Sequence, residues 1–269
     1  MRLPFYKYQA TGNDFVIINQ LVVPYLKNPS SDVIQNICDR RFGIGADGLM
    51  LLEKDEETDF KMTYYNSDGG LSTMCGNGGR CIVHLAKQLK LFKTECSFQA
   101  PDGIHEASID TNGLVRLEMS DVQSIKDDSL GYVLDTGSPH LVIFKDAWDR
   151  DSIVEEARSL RYREEFAPGG INVNYIHPDK DGSLMVRTYE RGVEDETYSC
   201  GTGVTAAALV AKAFHPNYQD SLEVPVITKG GNLKVQFQGN VQLGFSKIYL
   251  IGPAKRVFEG SIEIGESDS

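Results

Sequence analysis

The sequence predicts a mixed α/β (α+β) protein built from two pseudo-symmetric halves. Matching segments recur at a nearly constant offset along the 269 residues, and each half repeats one order of strand and helix patterns. Cys75 and Cys200 open two similar stretches, MCGNGGRC and SCGTGVTA, and differ by 200 − 75 = 125. Gly12 of GNDFVII and Gly137 of GSPHLVIF also differ by 137 − 12 = 125. Asn66 lies nine residues before Cys75 and Glu190 ten before Cys200. LVRLEMS from Leu114 and NVQLGFS from Asn240 are offset by 240 − 114 = 126. Recurrence of this kind marks a duplication, with its seam near Ser120. The expected domains are residues 1–119, with the tail 252–269 free to return to them, and residues 120–251.

Each half starts with a strand, LPFYKYQA in the first and GYVLDTG in the second. An apolar strand follows, DFVIIN and LVIFK. The next pair, SSDVIQNICDRR and DSIVEEARSLRY, has helical spacing, and Ser152 with Glu155 has the spacing of a capping box. Strands are expected around Lys61 to Tyr65 and Leu184 to Tyr189, and then come the cysteine-led helices. Three alternating strands close each half, most clearly in NLKVQFQGNVQLGFSKIYLIG, where side chains alternate with a period of two.

Composition bounds the function. A hydrophobic fraction of 41% and a charged fraction of 24% are ordinary for a soluble globular chain. A formal net charge of −11 argues against non-specific binding to nucleic acid and against docking on anionic membranes. No window approaches a membrane span, and MRLPFYKYQATGNDF lacks the apolar run of a signal peptide. Five scattered cysteines, Cys38, Cys75, Cys81, Cys96 and Cys200, do not resemble a disulfide framework, so a reducing cytoplasm is expected. No Cys-x-x-Cys or paired histidine motif suggests zinc.

Chemistry concentrates at the two helix mouths. The first turn of a helix has unpartnered N–H groups and the positive end of the dipole. A thiol there loses its proton more readily. The glycines after each cysteine, Gly76 and Gly78, Gly201 and Gly203, are expected to clear the approach, so that a carboxylate can sit on bare N–H groups. GTGVTA also fits a dinucleotide fingerprint, but the segment before it, VEDETYS, is polar where that motif needs an apolar strand. If the halves face each other across a pseudo-twofold axis, two thiols flank one bound carboxylate. That suits a racemase or epimerase, which removes a proton from one face of a carbon and returns one to the other. It needs no cofactor. The weakly acidic α-proton demands preorganised N–H donors and a dry site.

TGNDFVII, YYNSDG, MCGNGGRC, GSPHLVIF, NVNYIH and YERGVEDETYSCGTG, in this order, resemble the diaminopimelate epimerase family. The resemblance implies a cofactor-independent enzyme that interconverts LL- and meso-diaminopimelate for lysine and cell-wall synthesis. It implies two α/β domains, each with strands wrapped around a central helix, and an active site between them. Cys75 and Cys200 would be the acid–base pair. Gly76, Asn77, Gly201 and Thr202 would offer backbone N–H groups to the reacting carboxylate. Asn13, Asn66, Asn172 and Arg191 would hold the substrate's polar ends, with Arg191 suited to a bidentate grip on the distal carboxylate. Glu190 and His140 would tune the cysteines, and Glu190 could meet the substrate ammonium. No metal is implied, the partner is the small-molecule substrate, and a homodimer is left open.

Two positions depart from the family pattern. Ser138 stands where the family usually has Asn, and VEDET is one residue longer than the usual run before the second cysteine. The added acidic residue could reshape the site or only bulge the loop. Other readings stay open. They are a proline racemase-type enzyme, which typically has His where Asn77 stands, a thiol hydrolase using Cys200 with His140, and a binding relative of the same fold without catalysis.

Overall fold

The computed structural model describes residues 1–147 and 151–265. The chain divides into two compact units, Met1–Leu117 joined by the segment from Pro253, and Glu118–Gly252.

The first unit contains β1 (Arg2–Ala10), β2 (Asn13–Asn19), α1 (Ser31–Cys38), β3 (Gly48–Glu53), β4 (Phe60–Asn66), α2 (Gly76–Gln88), β5 (Glu95–Ala100), β6 (Gly103–Ile109) and the start of β7 (Val115–Met119), which runs past Leu117 into the second. The second contains β8 (Lys126–Asp128), β9 (Gly131–Asp135), β10 (Pro139–Phe144), α3 (Val154–Arg161), β11 (Asn172–Pro178), β12 (Leu184–Glu190), β13 (Asp195–Thr197), α4 (Gly201–Phe214), β14 (Glu223–Thr228), β15 (Gly231–Asn240) and β16 (Gly244–Gly252). The last strand, β17 (Lys255–Glu263), returns to the first unit and pairs antiparallel with β1 from Arg2↔Glu263 to Gln9↔Lys255.

Pairing repeats between the units. From β1 to β7 the neighbours run antiparallel, parallel, antiparallel, parallel and then twice antiparallel. The series β9, β10, β11, β12, β14, β15 and β16 has the same sequence of senses. Tight turns set both units. Thr11 and Gly12 have φ of 48° and 86°, and Gly137 has φ of 100°, a left-handed region where glycine carries no Cβ penalty. These turns launch β2 at Asn13 and leave Ser138 at the foot of β10.

Strands wrap a central helix in each unit. The buried residues of α4 include Gly201 and the unbroken run from Gly203 to Ala211, and the helix packs against strands from β9 through β16. A helix apolar all round must be buried, and its alanines let the strands approach closely. α2 packs against β1, β2, β3, β6 and β17 in the same way, but it buries the polar Asn77 and the charged Arg80 among its glycines and apolar residues.

The outer helices differ at their starts. Ser30 caps α1, its Oγ accepting from the Val33 N–H at 3.4 Å. The capping box expected at Ser152 and Glu155 does not form. The residue before α3 is Ile153, which carries no side-chain cap, and Ser152 Oγ only takes the Val154 N–H at 3.3 Å. Ile153 is buried with Leu141, Val173 and Tyr189, so packing fixes where this helix begins. Among the described residues no helix is long and apolar enough to cross a membrane.

Candidate active site

Cys75 and Cys200 occupy the same backbone position. Each is the residue immediately before its helix, with φ and ψ of −108° and 124° at Cys75 and −112° and 115° at Cys200. Each carbonyl takes the first intrahelical bond, from Gly79 N at 2.7 Å and from Val204 N at 2.8 Å. Gly76 with Asn77, and Gly201 with Thr202, therefore form the first helical turns, whose N–H groups have no intrahelical partner. None of the five cysteines is in a disulfide among the described residues, and Cys38, Cys81, Cys96 and Cys200 are buried. Burial pushes the Cys38 and Cys96 thiols up to about 12.

The second glycine of each motif serves packing and not approach, contrary to the sequence reading. A Cβ on Gly203 would meet Asn174 Oδ1 at 2.4 Å and Thr188 Oγ1 at 3.2 Å. One on Gly78 would meet Met50 Sδ at 3.1 Å. Both glycines press the helix onto the sheet behind it.

The two helix mouths have different backing. In the first unit, Asn13 Nδ2 donates to Asp47 Oδ2 at 2.6 Å, which turns Asn13 Oδ1 toward Cys75 Sγ at 3.7 Å and Asn77 Nδ2 at 3.3 Å. Asp14 next to it is gripped by Arg40 at 3.0 and 2.7 Å and by Lys7 at 2.7 Å. Burial alone would raise the Asp14 carboxyl, but the bonds from Arg40 and Lys7 outweigh it and hold it down to about 2. Arg80 is fully buried. Its guanidinium donates to Asn77 Oδ1 at 2.8 Å, Thr11 Oγ1 at 3.1 Å and Gly76 O at 3.3 Å, and its Nε has no hydrogen-bond partner among the described residues. Burial lowers Arg80 to about 10, opposed by the negative charge that Cys81 and Cys75 carry when ionised. Arg80 thus remains a cation beneath Cys75.

In the second unit the backing is neutral. His140 is fully buried and lies between Ser138 Oγ, 3.0 Å from Nε2, and Asn174 Nδ2, 3.0 Å from Nδ1. Burial, helped by the Arg191 charge and opposed by the Asn174 bond, lowers His140 to about 3, so the ring is uncharged at neutral pH. Asn172 is buried, accepting the Arg191 N–H at 2.8 Å and donating to Pro139 O at 2.9 Å and Ser138 Oγ at 3.2 Å. Arg191 and Glu190 stand partly exposed at the end of β12, and Asn66 is exposed at the end of β4. The longer loop is tied back to α3. Glu194, at φ 61°, accepts from Arg161 Nε at 2.9 Å, Tyr162 OH at 3.0 Å and Tyr189 OH at 3.2 Å.

Sequence reading missed Arg80, Asp47, Asn174 and Thr188. Asn174 had a signal, since it is two residues from Asn172 on one strand and so shares its face. Thr188 stands opposite Asn174 in the β11–β12 ladder. Among the described residues no three His, Cys, Asp or Glu side chains are grouped to hold a metal ion.

The family model described as diaminopimelate epimerase matches residues 5–125 and 132–257. A diaminopimelate epimerase of Flavobacterium psychrophilum is 46% identical over 260 residues, 97% of this chain and 100% of that one. Another, of Chlorobaculum tepidum, is 38% identical over 95% of this chain and 99% of its own. Among solved structures, a phenazine biosynthesis protein of Bacillus anthracis superposes with a TM-score of 0.77 at 15% identity, covering 98% of this chain and 100% of its own. That likeness concerns the fold alone. With matches to the family model across both halves, and identities this high over nearly its whole length, the chain belongs to the diaminopimelate epimerase family.

Proposed function

We propose that this protein is an isomerase that interconverts LL- and meso-2,6-diaminopimelate, with Cys75 and Cys200 as its two acid–base groups and no cofactor. The observation that carries this reading is the identical placement of the two cysteines, each immediately before the first turn of a buried helix. One cysteine, as thiolate, takes the α-proton and becomes a thiol. The electron pair stays on the carbon, next to a carboxylate held by N–H groups of Gly76, Asn77, Gly201 and Thr202. The other cysteine, as thiol, gives its proton to the opposite face and becomes a thiolate. The protonation states are then exchanged and must reset by proton exchange with solvent. Helix N-termini and preorganised N–H donors stabilise the charge that develops at the carboxylate.

Arg191 is suited to the distal carboxylate, since a guanidinium binds one through two parallel bonds. Asn13, Asn66 and Glu190 complete the proposed contacts. Asn172 supports them by holding the Arg191 backbone at 2.8 Å. We place the protein in the cytoplasm, with the small-molecule substrate as its partner and no role on nucleic acid or membrane. Its net charge of −11 and its cysteines outside any disulfide support this. A Cys200–His140 hydrolase is disfavoured, because His140 Nε2 bonds Ser138 Oγ and its Nδ1 bonds Asn174.

The test is turnover of LL-diaminopimelate by the purified protein in heavy water. Product from the first turnovers should carry deuterium at the inverted centre, and Cys75→Ser and Cys200→Ser should each nearly abolish conversion while the fold is kept. Full activity in either variant overturns the proposal. Racemisation of proline in place of diaminopimelate would favour the proline racemase-type reading.

A further inference from the structure

The polar groups behind Cys200 can be oriented without ambiguity. Asn174 Nδ2 lies 3.1 Å from the Leu141 carbonyl oxygen, which can only accept, and its Oδ1 lies 2.9 Å from Thr188 Oγ1. The same Nδ2 therefore donates its second hydrogen to His140 Nδ1 at 3.0 Å. A ring nitrogen that accepts is unprotonated, so neutral His140 carries its proton on Nε2. That N–H donates to Ser138 Oγ at 3.0 Å. Asn172 is oriented by the same logic. Its Oδ1 takes the Arg191 N–H, so its Nδ2 donates to Pro139 O and, at 3.2 Å, to Ser138 Oγ.

Ser138 Oγ thus accepts two hydrogen bonds, which use both of its lone pairs. Its one proton goes to Thr202 Oγ1 at 3.2 Å. Thr202 is held in place by the Thr136 hydroxyl, which donates to its carbonyl at 2.9 Å. The Thr202 hydroxyl has its own proton left to give, and Cys200 Sγ lies 3.4 Å away.

We propose that Ser138 is a positioning residue for Cys200, closing a one-way hydrogen-bond relay from Thr188 through Asn174, His140 and Thr202 that aims an O–H at the sulfur. A hydrogen bond to the charged form favours that form, so the relay favours the Cys200 thiolate. The inference rests on reading Cys200 as one of the two acid–base thiols. The backing of Cys75 differs. There the position 125 residues earlier (138 − 125 = 13) is Asn13, which presents an acceptor oxygen to Cys75. Charge near Cys75 comes from Arg80 instead.

The experiment follows alkylation of Cys200 and Cys75 by iodoacetamide in the substrate-free full chain, at one fixed pH, by peptide mass mapping. Thr202→Val removes the last donor and should slow Cys200 about tenfold, and Ser138→Ala about threefold, as expected for one hydrogen bond to a charged group. Cys75 should stay within about twofold in both, because hydrogen-bond effects are local. Ser138→Thr, which keeps the hydroxyl, should restore the rate. The double variant Ser138→Ala with Thr202→Val should be no slower than Thr202→Val alone, because both act through one path. Thr202→Ser covers the case in which the valine variant fails to fold, and should retain the wild-type rate. An unchanged Cys200 rate in folded Ser138→Ala and Thr202→Val, or no rescue by Ser138→Thr, overturns the relay. This readout involves no turnover. A protein with the full alkylation pattern that leaves diaminopimelate unchanged keeps the relay and loses the proposed function. One that epimerises with unmoved alkylation loses the relay and keeps the function.

Discussion

Arg80 Nη2 lies 2.8 Å from Asn77 Oδ1, inside the first turns of the helix that Cys75 opens. The corresponding position in the second unit (80 + 125 = 205) is Thr205, whose hydroxyl donates to Gly201 O at 3.0 Å. A buried cation therefore backs one cysteine and a neutral hydroxyl stands at its counterpart. Arg80→Met keeps much of the apolar volume and removes the charge. It should lower kcat by at least about tenfold while the far-ultraviolet circular dichroism stays native, because the Cys75 thiolate loses the positive charge of Arg80. Arg80→Lys should recover part of the loss. An Arg80→Met protein with full kcat would show that the charge has no part in the reaction.

Arg191 should select for a second carboxylate. Arg191→Lys should lower kcat/KM for diaminopimelate by at least about tenfold, since a point charge cannot reproduce the planar fork. Lysine, without the distal carboxylate, should be a very poor substrate of the unaltered protein. Equal turnover of lysine and diaminopimelate would remove Arg191 from this role.

Acid should destabilise the protein over two overlapping pH ranges with different causes. Native His140, held down to about 3, is neutral, whereas the unfolded chain takes up that proton near its ordinary value of 6.5. Its contribution is complete above about 6.5 and is lost as the pH falls from there toward 3. Asp14 is held down to about 2 against 3.8, so its contribution is complete above 3.8 and is lost as the pH falls toward 2. Asp14→Asn should cost about 2 kcal/mol at neutral pH, because it leaves Lys7 buried without its partner. The penalty should shrink only below about pH 4, where Asp14 of the unfolded chain takes up its proton. Urea denaturation at neutral pH and near pH 3 measures this; a penalty of equal size at both would contradict it. The imidazole resonances of His140 should meanwhile report a neutral Nε2–H ring down to about pH 5.

Glu194 should steady the segment that carries Arg191. Glu194→Gln weakens its bond to Arg161 and should cost about 1 kcal/mol of stability. It should raise KM more than it lowers kcat, since the loop carries the proposed binding group Arg191 and neither of the proposed acid–base cysteines. A change in kcat alone would place Glu194 in the chemistry.

The duplication was legible because the repeated residues stand at strand ends and helix mouths, where glycine, asparagine and cysteine leave recognisable spacing. The closing strands of each half were legible from alternation, which is clearest in β15 and β16. Burial was much less legible. Arginine is rarely enclosed without a carboxylate, so Arg80 in MCGNGGRC reads as a surface charge until α2 is seen wrapped by strands. Gly203 and Gly78 look like clearance for a ligand, but the contacts that require them come from residues distant in sequence, Asn174 and Met50. Ser138 looks like a lost substrate contact, and only its three polar neighbours reveal what the hydroxyl is bonded to. The start of α3 was misplaced because local capping chemistry yields there to the packing of Ile153.

The pairing of β1 with β17 bears on how the chain assembles as it is made. Strand β1 leaves the ribosome before the second unit, and the strand that covers its outer edge leaves after it. Every residue of the second unit is synthesised between them. That unit is contiguous and has all its strands before β17 emerges, whereas the N-terminal unit waits with an unpaired edge. The half begun first is the half completed last, and nascent β1 must be shielded from stray strands until its partner arrives.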